Sequence, residues 1–161
     1  MKNRAGLFFL FFTACVSDAP EEFASIKAET WNSFTNEIAG YTLTYPNELE
    51  EDKSRDGKDV LFRYNGYPII CVNFVDSTEG RNRGLWLKHK PVADILLNGV
   101  QGKKYEYIHY DAFFGMLVQS YVINHKGKQL GLEFRKSGDL GTILEKVYHS
   151  FTLIKTITSA S

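Results

Sequence analysis

Residues 116–135 read MLVQSYVINHKGKQLGLEFR, in which Met116 to Asn124 and Gln129 to Arg135 flank His125-Lys126-Gly127-Lys128. Two runs rich in branched and aromatic side chains, joined by a short glycine-bearing turn, are the signature of a β-hairpin. Such side chains pack well on a pleated surface, and glycine accepts the positive φ of a tight turn. The pattern recurs upstream, where Val60 to Tyr64 and Ile69 to Val75 flank Asn65-Gly66. Tyr41 to Tyr45 and Tyr105 to Tyr110 alternate as further strands, the first ended by Pro46-Asn47.

Helical spacing appears at Leu140, Ile143, Leu144, Val147 and Phe151, which predicts an amphipathic helix over residues 139–149 and a last short strand from Ser150 to Lys155. Val92 to Leu97, following Pro91, is expected to form a second, short helix. Residues 48–59, with Asp56-Gly57, read as a turn region and residues 76–90 as a polar loop. Phe23, Ile26, Trp31 and Phe34 give only partial helical spacing, so residues 16–30 read as a tether or a frayed helix. The expected architecture is one α+β domain, a mainly antiparallel β-sheet flanked by helices.

The N-terminus reads as an address. Lys2 and Arg4 precede the apolar run Gly6 to Phe12, which has four Phe and two Leu. That run is far short of the roughly 20 residues needed to cross a bilayer, but has the length of a signal-peptide core. Phe12-Thr13-Ala14-Cys15 then resembles the lipobox of bacterial lipoproteins, with Phe12 where Leu is usual. The resemblance implies that Cys15 is lipidated and becomes the mature N-terminus. Each buried CH₂ of an acyl chain contributes about 0.8 kcal/mol, so a multiply acylated cysteine anchors stably. The expected divisions are residues 1–14 as signal peptide, 15–37 as lipidated Cys and tether, 38–155 as the folded domain and 156–161 as a loose tail.

Composition narrows the function. The chain balances 19 basic against 19 acidic residues, and residues 1–14 carry two of the bases and no acid. A near-neutral domain lacks the basic excess that nucleic-acid binding requires. Cys15 and Cys71 are the only cysteines. With the first lipidated, the second has no intramolecular partner, and its apolar surroundings mark it as an inert buried thiol.

Gly40-Tyr41-Thr42-Leu43-Thr44-Tyr45-Pro46 resembles the opening strand of PsbP-like proteins. That superfamily includes the extrinsic photosystem subunit, the Ran-binding Mog proteins and DcrB-like bacterial lipoproteins. Residues 98–105, Asn-Gly-Val-Gln-Gly-Lys-Lys-Tyr, resemble its glycine-rich entry to a mid-domain strand. Ile143 to Leu153 resembles its closing helix and Ser-Phe strand. The resemblance runs in order over residues 38–155. It implies an antiparallel sheet flanked by helices, no shared catalytic residues, and action through protein contacts.

No phosphate loop, dinucleotide fingerprint, His-Glu-x-x-His or Cys-x-x-Cys is present, so no cofactor or metal is expected. Gly99-x-x-Gly102 lacks the Lys-Ser/Thr that would hold phosphate and metal, and reads as a turn. His89, His109, His125 and His149 have no ligand-like spacing. On paper, His109 with Asp111 and either Ser120 or Ser150 completes a hydrolytic triad, and Glu48, Glu50, Glu51 and Asp52 read as an exposed acidic run.

The loop Glu79 to Lys90 is the most suggestive surface. Arg81, Arg83, Trp86, Lys88 and Lys90 share it; Arg and Trp are enriched at interface hot spots, and the four cations also suit anionic lipid headgroups. The structural alternative is that Leu85, Trp86 and Leu87 pin the loop to the core. The resulting expectation is a non-enzymatic, membrane-anchored envelope lipoprotein that binds a protein partner or assists envelope assembly. An envelope hydrolase and a small-ligand carrier with an apolar cavity are the alternatives.

Overall fold

A computed structural model describes residues 26–75, 84–111, 114–136 and 140–154. Ten strands follow in order: β1 (Trp31–Asn36), β2 (Tyr41–Pro46), β3 (Glu50–Lys53), β4 (Val60–Tyr64), β5 (Tyr67–Val75), β6 (Ala93–Leu97), β7 (Val100–Asp111), β8 (Phe114–His125), β9 (Lys128–Lys136) and β10 (Thr152–Leu153). Helix α1 (Gly141–Ser150) lies between β9 and β10. Seven strands form an antiparallel sheet in the order β3-β4-β5-β9-β8-β7-β6, and β1-β2-β10 form a smaller one. The fold is therefore the expected α+β arrangement, with one flanking α-helix among the described residues.

Both expected hairpins are present, at Asn65-Gly66 and Lys126-Gly127, and a third turns at Asn98-Gly99. All six residues have positive φ, as a two-residue turn matched to strand twist requires. That third turn corrects the expected helix at Val92 to Leu97, which is strand β6. Six residues are too few to support a helix alone, and Asn98-Gly99 folds them back onto β7, pairing Ala93 with Lys104 through Leu97 with Val100. Ile95 and Leu97 then join the core while Asp94 and Leu96 face solvent.

The turn region expected over residues 48–59 also holds a strand, β3, whose four residues are all exposed. An edge strand made of charges deters further pairing, and Asp52 accepts a bond from Arg63 Nε of β4 at 2.9 Å. Strand β1 falls within residues 15–37, the stretch expected as tether, and among the described residues it is the first paired strand.

The main core lies between one face of the large sheet and a layer made of the small sheet and α1. Phe34, Tyr41, Leu43 and Tyr45 meet Phe62, Ile70, Leu132 and Phe134, closed by Leu144, Val147 and Phe151. Aromatic contacts knit the layers: Phe34 meets Phe62 edge-on at 5.5 Å and Tyr41 stacks on Phe151 at 5.3 Å. A smaller cluster of Val75, Trp86, Tyr107, Val118 and Val122 occupies the opposite face of the large sheet.

Candidate functional site

Residues 84–90 cover that second face. Leu85–Lys88 form a 3₁₀ turn in which the Leu87 amide donates to the Gly84 carbonyl and the His89 amide to the Trp86 carbonyl. Trp86 is completely buried. Its ring fits because Gly131 of β9 offers bare backbone beneath it, and Gly84 also lies against it. A Cβ at either glycine would overlap the indole. Trp86 Nε1 donates to Gln129 Oε1 at 3.3 Å, and His89 stacks parallel on Tyr107 at 4.3 Å.

A polar cluster lies inside this apolar patch. Sheet register sets Glu133 beside Cys71 on one side and Ser120 on the other. Glu133 Oε2 accepts from the Tyr107 hydroxyl and from Ser120 Oγ, the latter at 3.2 Å, and its Oε1 accepts from Asn73 Nδ2. Burial pushes the Glu133 carboxyl above the usual carboxylate range, and these three donors with Arg135 pull it part of the way back. Tyr107 is pushed up by burial and by Glu133, so it keeps its proton and serves as donor. Burial pushes the Cys71 thiol up to about 12, which makes it a poor nucleophile. A cavity of about 140 Å³ adjoins, lined in part by Glu133, Arg135, His109 and Asn73. Such a volume holds a few solvent-sized groups, well below the roughly 300 Å³ where ligand pockets begin.

Of the candidate interface residues, Trp86 belongs to the core and offers no surface to a partner, because its ring fills the gap over Gly131. Lys88 and Lys90 are exposed on the same cover. Arg81, Arg83 and Cys15 lie outside the described residues. The cover leads into β6, and just before that strand the Val92 amide donates to the Lys104 carbonyl. Lys103 and Lys104 therefore lie on the adjoining strand, engaged by Asp94 and Glu106 respectively.

The serines of the paper triad have structural partners. Ser120 bonds Tyr107 and Glu133, while Ser150 donates to the Val147 carbonyl at 2.8 Å and accepts the Thr44 amide at 2.9 Å. His149 is exposed, 3.8 Å from Glu145. Among the described residues, no three His, Cys, Asp or Glu come together to hold a metal ion, and no helix is long and apolar enough to cross a membrane.

One surface escaped the sequence reading. Beyond the reach of α1, Ile108 of β7 pairs directly with Leu117 of β8, and Tyr110 pairs with Gly115. Their exposures are 47%, 41% and 74%, unusual for adjacent large apolar side chains on a sheet. A Glu106–Gln119 hydrogen bond at 2.8 Å separates this patch from the main core.

Neither family models nor curated proteins match the sequence. Solved structures do match in shape. The solution structure of cyanobacterial PsbP (CyanoP) from Synechocystis sp. PCC 6803 is 13% identical with a TM-score of 0.52, over 77% of this chain and 92% of that one. A crystal structure from Bacteroides thetaiotaomicron VPI-5482 is 9% identical with a TM-score of 0.51, over 76% of this chain, which spans about half (48%) of that protein. At such identities the likeness is one of fold alone.

Proposed function

We propose that this protein is a bacterial envelope lipoprotein, held at a membrane through Cys15, whose PsbP-like domain binds a protein partner and performs no catalysis. The exposed patch of Ile108, Tyr110 and Leu117 carries the reading. Three large apolar groups on paired strands are costly to hydrate and gain free energy when a partner covers them. Exposed Lys88 and Lys90 supply a second contact surface, to the same partner or to anionic headgroups.

Two outcomes test this function. Ile108→Thr combined with Leu117→Thr places β-branched residues at these paired, exposed positions, so unfolding free energy should change by no more than about 0.5 kcal/mol per site. Crosslinking in the envelope should nevertheless lose its captured partner; equal capture by variant and parent rejects the surface. Cys15→Ala should move the protein from the membrane fraction to the soluble one and abolish acyl labelling. Unchanged fractionation rejects the anchor.

A further inference from the structure

A second concavity lies at the end of the large sheet where the β6–β7 and β8–β9 turns sit side by side, and its volume is about 740 Å³. This is within the range of small-molecule sites, roughly 300–1,000 Å³. Its polar groups are Gln101, Asn124 and Gln129, the Asp94–Lys103 pair and the Tyr105 phenol. Leu96 and Val122 are among the aliphatic residues that line the remainder.

Three properties define what fits. The Gln101 and Asn124 carboxamides can each donate and accept and Gln129 donates, so together they match a ligand whose groups do both, which is the character of hydroxyls. The one cation and one carboxylate engage each other, so the cleft carries no net charge to select an ion. Tyr105 packs against the Trp86 cluster while still lining the cleft, a fixed ring against which the C–H face of a pyranose can lie. Gln129 is preorganised as well. Its Oε1 is taken by Trp86 Nε1, which fixes the amide plane and leaves Nε2 to donate.

We infer that this cleft is a binding site for a neutral saccharide of about two rings, distinct from the apolar protein-binding patch. Gln129 and Asn124 bond its hydroxyls, Tyr105 stacks on one ring, and Asp94 with Lys103 closes the rim. An apolar carrier ligand is a poor match, because it would strip water from three amides without replacing their hydrogen bonds.

The test is a titration of the ¹⁵N-labelled full chain with cellobiose and, separately, with N,N′-diacetylchitobiose, following backbone amide shifts. The expected result is saturable movement of residues 101–105, 122–124 and 129 by at least one sugar, with a Kd of about 1 mM. A preference for chitobiose assigns an N-acetylated glycan, and a preference for cellobiose a plain glucan; both support the site. Asn124→Ala and Tyr105→Ala should each weaken binding about tenfold, with amide dispersion confirming an intact fold. The inference is overturned if neither sugar gives saturable shifts, if shifts centre elsewhere, or if folded Asn124→Ala and Tyr105→Ala bind as the parent does. It is equally overturned if trialanine saturates the cleft and the sugars do not.

Discussion

Trp86→Ala should cost about 3–5 kcal/mol of unfolding free energy, the range for deleting a large buried aromatic. The site has little means of collapsing, because the surface left bare beneath the ring is Gly131 backbone. Urea unfolding measures the loss directly. Gly131→Ala should also destabilise, by about 1–3 kcal/mol, since its methyl group must displace the indole. The double variant distinguishes packing from other causes. With the ring gone the methyl no longer clashes, so the combined loss should be smaller than the sum. Strict additivity would show that the ring does not rest on Gly131.

Glu133→Gln should stabilise the protein at neutral pH and leave it unchanged in mild acid. Burial raises the Glu133 pKa above its ordinary 4.5, so the folded state holds this proton more tightly than the unfolded chain does. That contribution is fully present below pH 4.5 and is lost as pH rises through the folded value, at about 1.4 kcal/mol per unit of pKa difference. Glutamine escapes the loss. Its carbonyl can accept from Tyr107 and Ser120, and its amide can donate to Asn73 once that side chain turns over. His125 acts in the opposite direction, since burial and Lys126 lower its pKa from 6.5. Its contribution is present above pH 6.5 and is lost as pH falls. Unfolding curves taken from pH 4 to 8 should therefore separate parent from Glu133→Gln progressively at the alkaline end. Parallel curves would show that the carboxylate is not the buried group inferred. Glu133→Leu should be destabilising at every pH, by about 1–3 kcal/mol for each donor left without an acceptor.

Local chemistry explains which parts were legible in the sequence. Hairpins with a glycine turn between alternating runs announce themselves within a dozen residues, as at Asn65-Gly66 and Lys126-Gly127. The Asn98-Gly99 turn carries the same signal, but Ala93 to Leu97 lack the β-branched density of the other strands, and the preceding Pro suggested a helix start. Strand β3 is hidden because its four residues are all charged or acidic, and only pairing with β4 makes them a strand. Glu133 was missed for a different reason. Gly131, Glu133 and Arg135 look like the solvent face of an alternating strand. Among the described residues, Trp86 over Gly131, with Leu85 and His89 beside it, turns that face inward from far away in the chain. The pairing of a bare glycine with a distant tryptophan was the available signal, and no local pattern reveals it.

The strand order also has a kinetic meaning. In the large sheet, β3-β4-β5 and β6-β7-β8-β9 are each runs of neighbours in the chain, and the β5–β9 seam joins them. Each run can assemble by closing short loops, whereas the seam must unite Ile70 with Phe134 across the whole of the second run. Folding should therefore proceed as two preformed meanders whose encounter is the slow step, with the transition state resting on Val72, Leu132 and their neighbours along that seam.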